Sequence, residues 1–89
     1  MTDPELQSQI EAATSYEEFF LPALFQQWTP HVLDVAQVSG GQKVLDVACG
    51  TGILARAGLA RVTPGGSVTG LDPNPGMLAV ATKLEPGIT

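Results

Sequence analysis

Residues 43–52, Lys-Val-Leu-Asp-Val-Ala-Cys-Gly-Thr-Gly, constrain the fold of this chain more than any other stretch. A short β-branched and apolar run, Lys43 to Ala48, leads into a tight Cys49-Gly50-Thr51-Gly52 turn. Ile53, Leu54, Ala57 and Ala60 then recur at helical spacing. The pattern repeats after Pro64-Gly65-Gly66-Ser67 breaks the chain. Val68-Thr69-Gly70-Leu71 reads as a second strand ending at Asp72, and Asn74 caps a helix with Pro75 at its first position and Met77, Leu78 and Ala81 on one face. Glu85-Pro86-Gly87 ends that helix, and Gly87-Ile88-Thr89 reads as the approach to a third strand. Strand–helix–strand–helix over so short a span requires parallel strands joined by right-handed crossovers. Such strands are ordinarily covered on both faces, so residues 43–48 are expected to be a buried strand. The fold class is therefore α/β, the N-terminal part of a Rossmann-like sheet.

The first half reads differently, as short helices interrupted by prolines. Pro4 stands in a first turn followed by Leu6, Ile10 and Ala13 on one face, and Ser15 with Glu18 forms a capping box for a new helix. Pro22 is expected to break that helix. Thr29-Pro30, cap then proline, restarts a third one that runs until Ser39-Gly40-Gly41. Charge changes at the same place. Residues 1–42 carry six acidic side chains and no Lys or Arg, whereas residues 43–89 carry four bases against three acids. The expected organisation is a helical N-terminal segment, 1–41, and a partial Rossmann-like α/β unit, 42–89, that stops after the second βα unit.

Composition narrows the function. With 89 residues the chain is one domain at most, and a net charge of −5 argues against nucleic acid as a partner, because that affinity comes from Lys and Arg on phosphates. At 44% hydrophobic and 15% charged, the composition is globular. No apolar run approaches the roughly 18–20 residues that span a bilayer, and no basic segment precedes an apolar one at the start. A lone cysteine, Cys49, makes neither an internal disulfide nor a cysteine zinc cluster, and no metal site is expected. A cytoplasmic setting is expected. So is self-association of the chain, because a short parallel sheet leaves an edge unpaired.

The chemistry lies in the glycine loop and at the second strand end. Gly50-Thr51-Gly52, between a strand and a helix N-terminus, lets a ligand approach the backbone. Twenty-two residues past Gly50, Asp72 stands where a carboxylate accepts hydrogen bonds from both hydroxyls of a ribose. Together they predict an adenosine-containing cofactor. Residues 50–55 also satisfy the dinucleotide fingerprint G-x-G-x-x-[GA], which keeps NAD in play. Asp46 discriminates. Beside a pyrophosphate a carboxylate is repelled, by about 4 kcal/mol at 4 Å and an effective dielectric of 20, whereas beside an ammonium or a sulfonium it is attracted by as much. S-adenosylmethionine carries both cations and no phosphate.

Val44 to Gly52 resembles motif I of the class I S-adenosylmethionine-dependent methyltransferases. Gly70 to Ala81 resembles their next motif, an acidic strand end followed by a D-x-N-x-x-M-L helix start. The likeness is greatest to the type-11 group that includes the ubiquinone and menaquinone C-methyltransferases. Tyr16-Glu17, Leu21 to Phe25 and Trp28 look like the N-terminal helical cap of some small-molecule enzymes in that group. The resemblance implies that Asp46, Ala48, Cys49, Gly50, Thr51 and Gly52 wrap the methionine end of the cofactor. It implies that Asp72 holds the ribose and that Pro73, Asn74 and Met77 border the adenine. Ala48 departs from the pattern, standing where many members have the first glycine.

Methyl transfer to a small-molecule acceptor is the implied reaction, with this chain supplying the cofactor-binding part. No residue among the 89 stands out as catalytic. A non-catalytic adenosine-cofactor-binding module and an NAD-binding Rossmann fragment are the alternatives. Cys49 reads as a small buried hydrophobe in preference to a nucleophile. Tyr16 and Trp28 read either as core or as a lid over the cofactor.

Overall fold

A computed structural model describes residues 3–89 of the chain. At its centre β1, Lys43–Val47, pairs in parallel with β2, Ser67–Leu71, in a register that sets Val44 beside Val68 and Asp46 beside Gly70. Helix α3, Ile53–Val62, makes the crossover, and α4, Pro75–Leu84, follows β2. This is the α/β arrangement expected from the glycine turns, with the strand ends within a residue or two of expectation. Asn74 caps α4 as expected, its side-chain oxygen accepting from the Gly76 and Met77 amides. The core forms where α3 crosses the sheet: Val62 and Val68 are fully buried with Ala55, and Val38, Val44, Leu59 and Ile88 pack around them. Removing each such valine from water contributes about 1.5–3 kcal/mol. Beyond α4, Thr89 donates its amide to the Val68 carbonyl at 3.0 Å and accepts from the Gly70 amide at 3.0 Å. Those two bonds are one parallel bridge on the free edge of β2, as the third-strand reading of residues 87–89 anticipates.

One expectation about the sheet fails. Lys43–Val47 is not a buried strand: it alternates, with Leu45 58% and Val47 68% exposed, while Leu71 on the same face of β2 is 51% exposed. Among the described residues, α3 covers the face that carries Val44 and Val68, and the opposite face is left largely bare.

The helical segment departs further from its prolines and hydroxyls. Helix α1, Pro4–Ser15, is capped by the Asp3 carboxylate, which accepts from the Glu5 amide. It does not stop at Ser15. The chain continues into wide π turns, Tyr16–Phe25, and Ser15 keeps helical backbone angles with no side-chain cap, so the capping box is not formed. Pro22 breaks nothing. A proline ring clashes with the carbonyl four residues back, and π turns, bonded five residues apart as Gln26 to Leu21 is here, move that carbonyl aside. A 3-10 turn, Gln26–Trp28, then leads to α2, Thr29–Val35. Thr29 is buried within α2 and does not cap it. Nor does α2 run to the glycines. Gln37 takes a left-handed φ of 58°, its amide bonds to the Asp34 carbonyl and that of Val38 to the Leu33 carbonyl, which closes the helix in a Schellman motif with glutamine at the glycine position.

Helix α1 packs along α4, from Gly76, where a Cβ would overlap the Gln9 backbone, to the Lys83–Leu84 end beside Ile10 and Thr14. The N-terminal segment is thereby seated on the helix that follows Asp72. Replacing Gly76 with alanine is expected to force α1 and α4 apart and to lower stability by about 1–3 kcal/mol, read as a lower urea midpoint. The bare apolar face of the sheet predicts that sedimentation velocity will detect association of the chain as its concentration rises, and a monomer at all concentrations would contradict that.

Candidate cofactor site

The parallel register delivers both strand ends to one place. The Cys49 amide still bonds to the Leu71 carbonyl, at 2.9 Å, so the sheet continues one step past β1 before the glycine turn begins. Ala48 turns the chain with a left-handed φ of 60°, and Gly50 and Gly52 follow at 59° and 92°. Gly52 starts α3. The departure at Ala48 therefore has a backbone consequence: an alanine holds a conformation that glycine adopts without cost.

Asp72 ties the two ends together. Its Oδ2 accepts from the Gly50 amide at 2.9 Å and its Oδ1 from the Asn74 amide at 2.9 Å, so the pair read from a 22-residue spacing is in direct contact. Each oxygen keeps acceptor capacity beyond its one backbone bond. Both carboxylates flank Cys49. Burial, and then the charges of Asp46 and Asp72, push its thiol above the ordinary 9.0, which keeps it protonated and fits the buried-hydrophobe reading. Its sulfur also fills the space that a side chain on Gly70 would need.

Asp46 is the anomaly. Among the described residues, its Oδ2 is the buried side-chain polar atom with no hydrogen-bond partner. Burial pushes the Asp46 carboxyl above its ordinary 3.8. A buried carboxylate without a partner is costly, and a cation beside it removes the cost.

Asp46 lines a cavity of about 350 Å³. One wall is the loop, Ala48 to Thr51, and the other is apolar and aromatic, with Tyr16, Leu21, Phe25, Trp28 and Val32 from the N-terminal segment. The structure thus gathers Asp46, Ala48, Cys49, Gly50 and Thr51 around one space. It leaves Gly52, Asp72, Pro73, Asn74 and Met77 outside that wall, with Asn74 engaged as the α4 cap. A single cation-seeking carboxylate, a glycine loop and a second carboxylate at the next strand end suit the cationic methionine part and the ribose of S-adenosylmethionine.

Sequence reasoning missed three contributors. Thr51 is 1% exposed, its hydroxyl donates to Glu17 Oε1 at 3.0 Å, and Arg56 donates to the Thr51 carbonyl at 2.7 Å and to the same Glu17 oxygen at 2.7 Å. Arg56 carries a faint signal, a base in the first turn after the loop. Glu17, thirty-four residues from Thr51, carries none. Thr29, on the cavity wall, was read only as a cap.

The fold is the N-terminal part of a Rossmann-like α/β unit, with the candidate site at the carboxyl ends of its strands. Residues 44–87 match the methyltransferase domain family. A demethylmenaquinone methyltransferase of Chlorobaculum parvum is 54% identical over 54 residues, which are 58% of this chain and 22% of that protein. A ubiquinone/menaquinone biosynthesis C-methyltransferase of Bordetella avium is 46% identical over 57 residues, 64% of this chain and 22% of that one. A solved Methanococcus maripaludis structure, assigned as an S-adenosyl-L-methionine-dependent methyltransferase, superposes with a TM-score of 0.63 at 16% identity, over 100% of this chain and 43% of that one, a likeness of fold. The chain belongs to the class I S-adenosylmethionine-dependent methyltransferases as an N-terminal portion of that fold. It spans about a fifth of the length of the curated relatives it matches.

Replacing Ala48 with glycine is expected to raise stability by about 1 kcal/mol by releasing the left-handed backbone, read from the denaturation midpoint. The Asp46 carboxyl has the opposite sense to a paired acid. Its contribution to folding is fully present below the ordinary 3.8 and is lost as pH rises through its raised folded value. The Asp46→Asn chain is therefore expected to gain stability over the parent as pH climbs from about 4 to about 7.

Proposed function

We propose that this chain provides the cofactor-binding part of an enzyme that transfers the methyl group of S-adenosylmethionine to a small aromatic or quinone-like acceptor in the cytoplasm. The observation that carries the reading is the buried, unpartnered oxygen of Asp46 on a cavity floored by a glycine loop. An α-ammonium group brought to that carboxylate offsets its burial, whereas a pyrophosphate in the same place is repelled by it. That argues against the NAD reading.

In this proposal residues 42–89 hold the cofactor and residues 1–41 close over it. Asp46 with Ala48, Cys49, Gly50, Thr51 and Gly52 surrounds the methionine end. Asp72 turns its remaining acceptor capacity to the ribose, and Pro73, Asn74 and Met77 border the adenine. When bound, the cofactor supplies an electrophilic methyl on a sulfonium. The aromatic wall of Tyr16, Phe25 and Trp28 stacks against a flat acceptor and keeps water from the reacting atoms. The relatives act, by name, on demethylmenaquinone or in ubiquinone and menaquinone biosynthesis, which supports an acceptor of that kind. None of these side chains is assigned as a general base; the protonated Cys49 thiol does not serve as one. The contribution of the protein is positioning, which supplies about 7–11 kcal/mol when the reacting atoms are held near 3–3.5 Å.

Calorimetric titration with S-adenosylhomocysteine and with NADH tests the reading. Preference for S-adenosylhomocysteine is expected, and equal affinity or the reverse order contradicts it. In the same titration Asp46→Asn should weaken S-adenosylhomocysteine binding by about 10- to 150-fold, the loss of a hydrogen bond to a charged group.

A further inference from the structure

We infer that Glu17 is a positioning residue that locks the N-terminal segment onto the cofactor loop, an inference that rests on the cofactor-binding reading above. An exposed Arg–Glu pair adds little. This one differs because of what it holds. Glu17 and Arg56 side chains are 20% and 25% exposed, and both reach Thr51, itself 1% exposed. Glu17 Oε1 accepts from the Thr51 hydroxyl and from Arg56 Nη2, while Arg56 Nη1 donates to the Thr51 carbonyl. The hydroxyl and the carbonyl of one loop residue are thus both set by a single charged pair. Charge-assisted bonds of 2.7 Å at two points fix direction as well as distance.

The neighbour of Glu17 shows what the lock controls. Tyr16 brings its ring edge to 3.9 Å from where a Cβ on Gly50 would stand, and its ring lies 6.2 Å from Phe20 and 6.1 Å from Phe25, centre to centre. Moving Glu17 off Thr51 therefore moves Tyr16 off Gly50 and draws Phe25 with it, and both belong to the cavity wall. Among the described residues, the side-chain hydrogen bonds that link the π turns to the loop and α3 all pass through Glu17. The π turns give that carboxylate its reach: the winding starts at Tyr16, directly after α1 ends at Ser15.

The test compares Glu17→Ala, Glu17→Gln and the parent chain by amide hydrogen exchange and by S-adenosylhomocysteine dissociation. The Gly50 and Gly52 amides are bonded to Asp72 and Cys49, so their exchange reports the order of the loop, and Val44 and Thr69, whose amides face across the β1–β2 ladder, report the sheet. Glu17→Ala should speed exchange at Gly50 and Gly52 by about tenfold with Val44 and Thr69 unchanged, and should speed dissociation by about as much. Glu17→Gln keeps an oxygen acceptor and should restore most of both. Unchanged exchange at Gly50 and Gly52 in Glu17→Ala overturns the inference. So does faster loop exchange with an unchanged dissociation rate, or an increase shared equally by Val44 and Thr69 in both variants. Failure of the parent chain to bind S-adenosylhomocysteine removes the functional reading instead, and the exchange data then judge the Glu17–Thr51 lock alone.

Discussion

Two five-residue strands running the same way place their carboxyl ends side by side, and the rest of the molecule is arranged around that fact. Parallel pairing sets Val47 beside Leu71, and the Cys49 amide extends the ladder by one bond, so the chain leaves both strands at a common edge. Only then can the Gly50 amide meet the Asp72 carboxylate. A slip of one residue would turn Asp46 to the bare face and Leu45 inward, since side chains alternate along a strand. The register is held by Val44 and Val68 packing together under α3.

The site built on this edge is not optimised for the stability of the free chain. Asp46 faces burial without a partner, and Ala48 holds a left-handed backbone. Both costs fall within three residues on the cavity wall, and both follow the general pattern in which unsatisfied groups and backbone strain gather where a ligand binds. The N-terminal segment contributes from the other side. Gln9 packs on Gly76, Glu17 on Thr51, and the π turns that begin beside Glu17 carry Tyr16, Leu21 and Phe25 over the loop.

Local chemistry was legible wherever a residue acts on its chain neighbours. The glycine turn, the Asn74 cap and the break at Pro64-Gly65 could all be read from local residues, whereas the 22-residue spacing brought Gly50 and Asp72 to one site without showing that they bond to each other. What could not be read depends on partners distant in sequence. Ser15 looked like a cap because nothing local told that α1 would be carried onward by packing on α4. Pro22 looked like a break because proline clashes with α winding, and only the wider π turns remove that clash. Gln37 ended α2 before the glycines could, since its own backbone supplied the left-handed residue. Leu45 and Val47 looked buried because apolar parallel strands ordinarily are covered on both faces, which requires elements that residues 3–89 do not place there. Glu17 was given no role of its own, because its partners lie thirty-four and thirty-nine residues away.

The central claim is that the Asp46 carboxylate waits for a cation that the cofactor brings. Carbon-13 NMR of the Asp46 carboxyl, titrated with acid in the presence and absence of S-adenosylhomocysteine, measures this directly. Without ligand the group should titrate above its ordinary 3.8. With saturating ligand its midpoint should fall, because an adjacent ammonium favours the ionised form. An Asp46 titration that does not move on binding, or that moves upward, would contradict the account.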